Sequence, residues 1–166
     1  MKGDYENMLK LHYIEIFLRS IPEMMLIILG VYVVAREKID VKVYISSSIT
    51  MGTVIFFVRM LPIYFGIHTF IGVVLIICTM VIIGIPIIKS IYGTLLMFLI
   101  ISLSESLNMV MLNLLGINIV IQFGNPIIKS VFGIPSLIIA GLFIIIIRHF
   151  IKREEKLKMS LTKGLN

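Results

Sequence analysis

Five ionisable residues sit where an apolar chain can least tolerate them. Glu105 lies within Ser102-Leu-Ser-Glu-Ser-Leu-Asn108, in the middle of a long hydrophobic stretch. An acidic or basic side chain at mid-membrane costs about 2.5–3.5 kcal/mol on insertion scales, so it needs a partner, a wet cavity or neutralisation. By helical spacing Ser102, Glu105, Asn108 and Met109 share a face, with Ser106 and Asn113 beside it. That face is expected to point into a bundle, where it would receive a polar ligand, transmit a conformational change, or serve as hydrogen-bonding glue between helices. Arg59 has two readings: it snorkels to the headgroups, or it pairs with Glu23 or Glu105. Arg19 and Glu23 are four residues apart and can pair with each other on one helix. His68 reads as an interfacial histidine, because His12 and His149 offer no ligand spacing with it, and no metal site is expected. A Cys78–His68 nucleophilic pair is rejected: ten residues on one helix are about 15 Å by rise, too far for thiol and imidazole to meet. There is no Gly-rich phosphate loop, no HExxH and no GxSxG, so no enzyme activity and no cofactor are expected.

The elements that carry these residues must be membrane helices. Of 166 residues, 59% are hydrophobic and only 14% charged, and the mean hydropathy is +1.10. A soluble domain has roughly 25% charged residues and leaves much of its surface in water. A span needs about 20 apolar residues, and five stretches qualify: 14–35, 43–61, 67–85, 91–115 and 132–151. The run 117–123 is too short to cross. The expected fold is all-α, a polytopic bundle of about five transmembrane helices over residues 1–151, followed by a short basic tail, 152–166. No signal peptide is visible, and the lone Cys78 cannot form an intramolecular disulfide. With no Trp, Tyr5, Tyr13, Tyr44, Tyr64 and Tyr92 are the candidate interfacial anchors.

Charge sets the expected orientation. The net charge is +6, and Arg148, Lys152, Arg153, Lys156, Lys158 and Lys163 crowd the C-terminus. Positive residues near span ends favour the cytoplasm. Counting back over five spans also places Arg36, Lys38, Lys42 and Lys89 inside and the N-terminus outside. The expected location is a bacterial cell membrane. The basic tail reads as an orientation signal that touches anionic lipid, not as a nucleic-acid site.

Two pairs of segments echo each other at an offset of 40 residues. Gly84-Ile-Pro-Ile-Ile-Lys-Ser-Ile-Tyr-Gly93 resembles Gly124-Asn-Pro-Ile-Ile-Lys-Ser-Val-Phe-Gly133, and Phe17-Leu-Arg-Ser-Ile-Pro22 resembles Phe57-Val-Arg-Met-Leu-Pro62. Such echoes occur in duplicated transporters. Here the first pair falls on opposite faces of the expected topology, which favours a local role: Pro and Gly end one helix and Lys anchors the next.

The segment Val58-Arg-Met-Leu-Pro-Ile-Tyr-Phe-Gly-Ile-His-Thr69 resembles the turn between two apolar spans in the N-terminal membrane sensor module of GHKL-type sensor histidine kinases from clostridia and related bacteria. Arg59, Leu61, Pro62, Phe65, Gly66 and His68 match that turn. Glu105 matches a Glu on a later span, and Glu15–Glu23 is similar to the family's first helix. The resemblance implies a signalling role, with Arg59, His68 and Glu105 as the functional polar set and Glu23 and Arg19 as their possible partners. It does not imply kinase activity, since the sequence holds neither a phosphoacceptor helix nor a nucleotide-binding motif. The expected partners are membrane lipid and another membrane protein or a signalling kinase. The alternatives are a small solute-binding subunit of a transporter and a structural assembly subunit.

Overall fold

A computed structural model describes residues 19–61, 65–115 and 126–163. The expectations for the N-terminal residues, for Pro62 and Tyr64, for the run 117–123 and for the last three residues lie outside that range. The described residues form five helices and no strand: α1 (Ile21–Ala35), α2 (Val41–Met60), α3 (Phe65–Ile82), α4 (Ile87–Leu114) and α5 (Pro126–Lys163). The fold is an all-α bundle.

Local chemistry sets several of the boundaries. Asp40 caps α2, its carboxylate accepting a hydrogen bond from the Lys42 amide at 3.0 Å. α4 starts four residues before the expected span, directly after Pro86. A proline lacks an N–H that the start of a helix would leave unused anyway, so the helix begins as soon as the proline is passed. Pro126 opens α5 in the same way. The two echoed Pro-Ile-Ile-Lys segments therefore both begin a helix. α1 ends with Arg36 in the left-handed region at φ 58°, and the Arg36 guanidinium bonds Glu154 of α5 at 3.0 Å. Lys89 bonds Glu37 at 2.8 Å. These contacts gather the ends of α1, α4 and α5 at one basic rim. α5 runs unbroken through residue 152 into the basic segment.

α1 is the central helix. It packs against α2, α4 and α5, while α3 packs on α4 and less extensively on α2. Met24, Ile27, Ile28, Val31, Tyr32 and Ala35 of α1 are all buried, as expected for a helix that is apolar all round. α2 comes close to it because Gly52 carries no side chain: a Cβ there would lie 3.1 Å from the Ile21 Cα.

The outer surface is apolar. Ile82, Ile88, Leu95, Leu99, Leu114 and Ile145 are exposed, and so continuous a hydrophobic exterior suits lipid rather than water. Three helical segments, Val41–Arg59, Ile87–Leu114 and Phe132–Glu154, are long and apolar enough to cross a membrane, and Ile21–Ala35 and Gly66–Ile82 are shorter apolar helices. The chain is a membrane protein.

Candidate functional site

At the end of the bundle opposite the basic rim, charged and polar side chains link four helices. The backbone at Arg19 and Ser20 makes a wide π-type turn ahead of α1, and from it Arg19 Nη2 donates to Glu105 Oε1 on α4 at 2.8 Å. One turn further along α1, Glu23 Oε1 accepts from Arg59 Nη2, in the last turn of α2, at 2.8 Å. Three residues beyond Glu105, Asn108 Nδ2 donates to the carbonyl of Phe132 on α5 at 2.7 Å. The connection thus runs from α2 to α1, from α1 to α4 and from α4 to α5.

The two ion pairs differ in environment. Glu23 is the most enclosed member, with a side chain 8% exposed against 42% for Arg59. Its second carboxylate oxygen is buried with no hydrogen-bond partner among the described residues. In the other pair the side chains are 23% exposed for Arg19 and 46% for Glu105. The attraction between opposite charges grows as water is excluded, so Glu23 depends on its arginine more than Glu105 does.

α5 is shaped for its part. Pro135 removes an amide N–H from the middle of the helix, and two side-chain hydrogen bonds serve the preceding carbonyls. One is that of Asn108 to Phe132; the other is from Ser136 Oγ to the Gly133 carbonyl at 2.6 Å. The Arg19 guanidinium lies over Gly133, with Nη1 3.7 Å from where a Cβ would be. Asn108→Leu is expected to lower stability by about 1 kcal/mol, within the range of single interhelical hydrogen bonds in membranes. A shift of the unfolding midpoint in mixed detergent, with helicity retained, would be the measurement.

The structure decides among the pairings that the sequence leaves open. Arg19 and Glu23 each reach across to another helix. Of the two partners open to Arg59, the structure selects Glu23. His68 lies in the first turn of α3, half-buried, on a different helix from all four charges. His68 and Cys78 share the unbroken helix α3, which keeps them about three turns apart.

The face of α4 differs as well. Asn108 is buried, but Ser102, Glu105, Ser106, Met109 and Asn113 are exposed. The inward stripe is Met97, Ile101, Ser104, Asn108 and Leu112. The close fits of Met97 against Gly30 and of Gly93 against Val31 hold this side of the helix to α1. Glu105 is left at the seam, where Arg19 reaches it.

The pattern of polar residues marks neither Gly133 nor the Phe132 carbonyl, although the echo of Gly93 marks the former. Both glycines lie beside α1, Gly93 against Val31 and Gly133 against Arg19. The second echo is also informative, since its two arginines are Arg19 and Arg59.

Comparison with protein-family models, with curated proteins and with solved structures finds no significant match.

Proposed function

We propose that the protein is a bacterial membrane sensor or accessory protein without catalytic activity of its own, in which the linked ion pairs couple the positions of α1, α2 and α4. The supporting observation is the crossed pairing: one helix, α1, holds an Arg to α4 and a Glu to α2 within a single turn. A signal that moves α2 carries α1 with it through the Glu23–Arg59 pair and strains the more open Arg19–Glu105 link, so it is felt by α4. The resemblance of the Arg59–His68 turn to kinase input modules points the same way. In this reading the basic rim and the tail of α5 face the cytoplasm, and all five helices cross the membrane. The exposed Asn113 on α4 would then meet a partner helix, because an amide is a poor lipid-facing group.

The test is affinity purification of a tagged copy from its host in mild detergent, with mass spectrometry of the proteins retained. A histidine kinase or response regulator is expected. It should be lost or reduced with Arg59→Ala and with Glu105→Gln, both still inserted in the membrane. Recovery of a transport ATPase instead would overturn the sensor reading in favour of a solute-binding subunit.

A further inference from the structure

At the basic rim a groove of about 470 Å³ opens between α2 and α3. Exposed Lys42 lies at its rim end, buried Met51 forms part of its floor, and Ile82 and Ile83 border it from the end of α3, Ile82 on the outer lip. Several hydroxyls also border it, yet its wall is mainly hydrocarbon. The reason is local bonding. Ser47 Oγ donates back to the Val43 carbonyl of its own helix, and Thr79 Oγ1 donates to the Leu75 carbonyl at 2.8 Å and meets Met51 Sδ at 3.2 Å at the foot of the groove. Bonded this way, the hydroxyls are spent on the backbone and present carbon to the groove.

The mouth has the opposite character. Arg36 and Lys89 are neutralised by Glu154 and Glu37, whereas no carboxylate pairs with Lys42 among the described residues. Asp40, two residues away, is turned to the backbone, where it caps α2. A lysine with an apolar stem and a free ammonium at a membrane surface is placed to meet phosphate. From Lys42 to Met51 the groove follows about 13 Å of helix, less than half of a hydrocarbon core of about 30 Å. That depth suits the upper part of one lipid chain whose headgroup stays at the rim.

We infer that the α2–α3 groove binds an anionic glycerophospholipid, one acyl chain lying along Met51, Ile82 and Ile83 and the phosphate on Lys42 Nζ. The loose packing of α3 on α2 is then completed by lipid. This inference is independent of the signalling role.

Native mass spectrometry of the detergent-purified protein tests it, using phosphatidylglycerol and phosphatidylcholine of identical chains. Phosphatidylglycerol should be retained about fivefold more tightly, the effect of one lysine at a membrane surface. Lys42→Gln should erase that preference and Lys38→Gln should keep it. Ser47→Phe, which fills the groove and leaves Lys42 in place, should lose both lipids at this site. Unchanged preference in Lys42→Gln would overturn the assignment. So would displacement of the lipid by glycerol phosphate at equal concentration, which would mean a site for free phosphate. If Ser47→Phe fails to fold, as shown by lost helicity, the two lysine variants decide alone.

Discussion

Arg59→Ala is expected to destabilise the bundle more than Arg19→Ala. Removing Arg59 leaves Glu23 with a side chain 8% exposed and with one oxygen that has no hydrogen-bond partner among the described residues. Breaking a buried pair from one side typically costs about 3–5 kcal/mol. Because Arg59 itself is 42% exposed, the loss should fall near the lower end, about 3 kcal/mol. Arg19→Ala leaves Glu105, 46% exposed on a helix long and apolar enough to span the membrane, able to protonate or to turn toward the headgroups, which holds the cost below the roughly 2.5–3.5 kcal/mol of a charge fixed at mid-membrane. The double variant Glu23→Leu/Arg59→Met removes both charges and should return to within about 1 kcal/mol of the wild type. With no Trp and six Tyr in the chain, unfolding in mixed detergent is best followed by circular dichroism or tyrosine fluorescence. A double-mutant cycle over Glu23 and Arg59 should give a clear coupling energy. Equal effects of the two arginine variants, or a double variant worse than either single, would contradict this account of the site.

The difference between the pairs bears on the proposed role. A tightly held contact fixes α1 to α2, and a more open one connects α1 to α4. The weaker link is the one a signal can open at modest cost, while the stronger link keeps α1 and α2 moving together. Glu105→Gln should therefore alter partner coupling with little loss of stability, and Arg59→Ala should impair both.

The five apolar stretches of the sequence correspond to the five helices because spanning length and lipid exposure are properties of single segments. Pairing is not such a property. Arg19 and Glu23 have the spacing of an intrahelical pair, yet their partners are Glu105 and Arg59, 86 and 36 residues away. Only the packing of α1 between α2 and α4 decides that choice. The rotation of α4 is not legible in the sequence for a related reason. Its polar residues suggested one inward face, but Met97, Ile101 and Leu112 determine which side is buried, and a sequence does not state how large and small residues fit across two helices. Gly133 shows the same limit: a glycine is informative only when the group opposite it is known, and here that group is the Arg19 guanidinium.

Gly30→Leu should be the most damaging change away from the charges. A Cβ at Gly30 would lie 2.0 Å from the Met97 Sδ, 2.5 Å from its Cε and 2.9 Å from its Cγ. Met97 is adaptable in principle, but it is fully buried, so its thioether has no free space to enter. Overpacking of this kind costs about 1–3 kcal/mol and sometimes more, and a leucine at the contact between α1 and α4 should reach the upper end. The separation it forces would also draw Arg19 from Glu105, so loss of partner coupling should accompany loss of stability. Met97→Ala alone leaves a cavity and should cost about 2–4 kcal/mol. Together the two changes exchange volume across one contact, and Gly30→Leu/Met97→Ala should be more stable than either single variant. Simple addition of the two costs would show that Gly30 and Met97 do not share a contact, and the close approach of α1 to α4 that holds Arg19 against Glu105 would then need another cause.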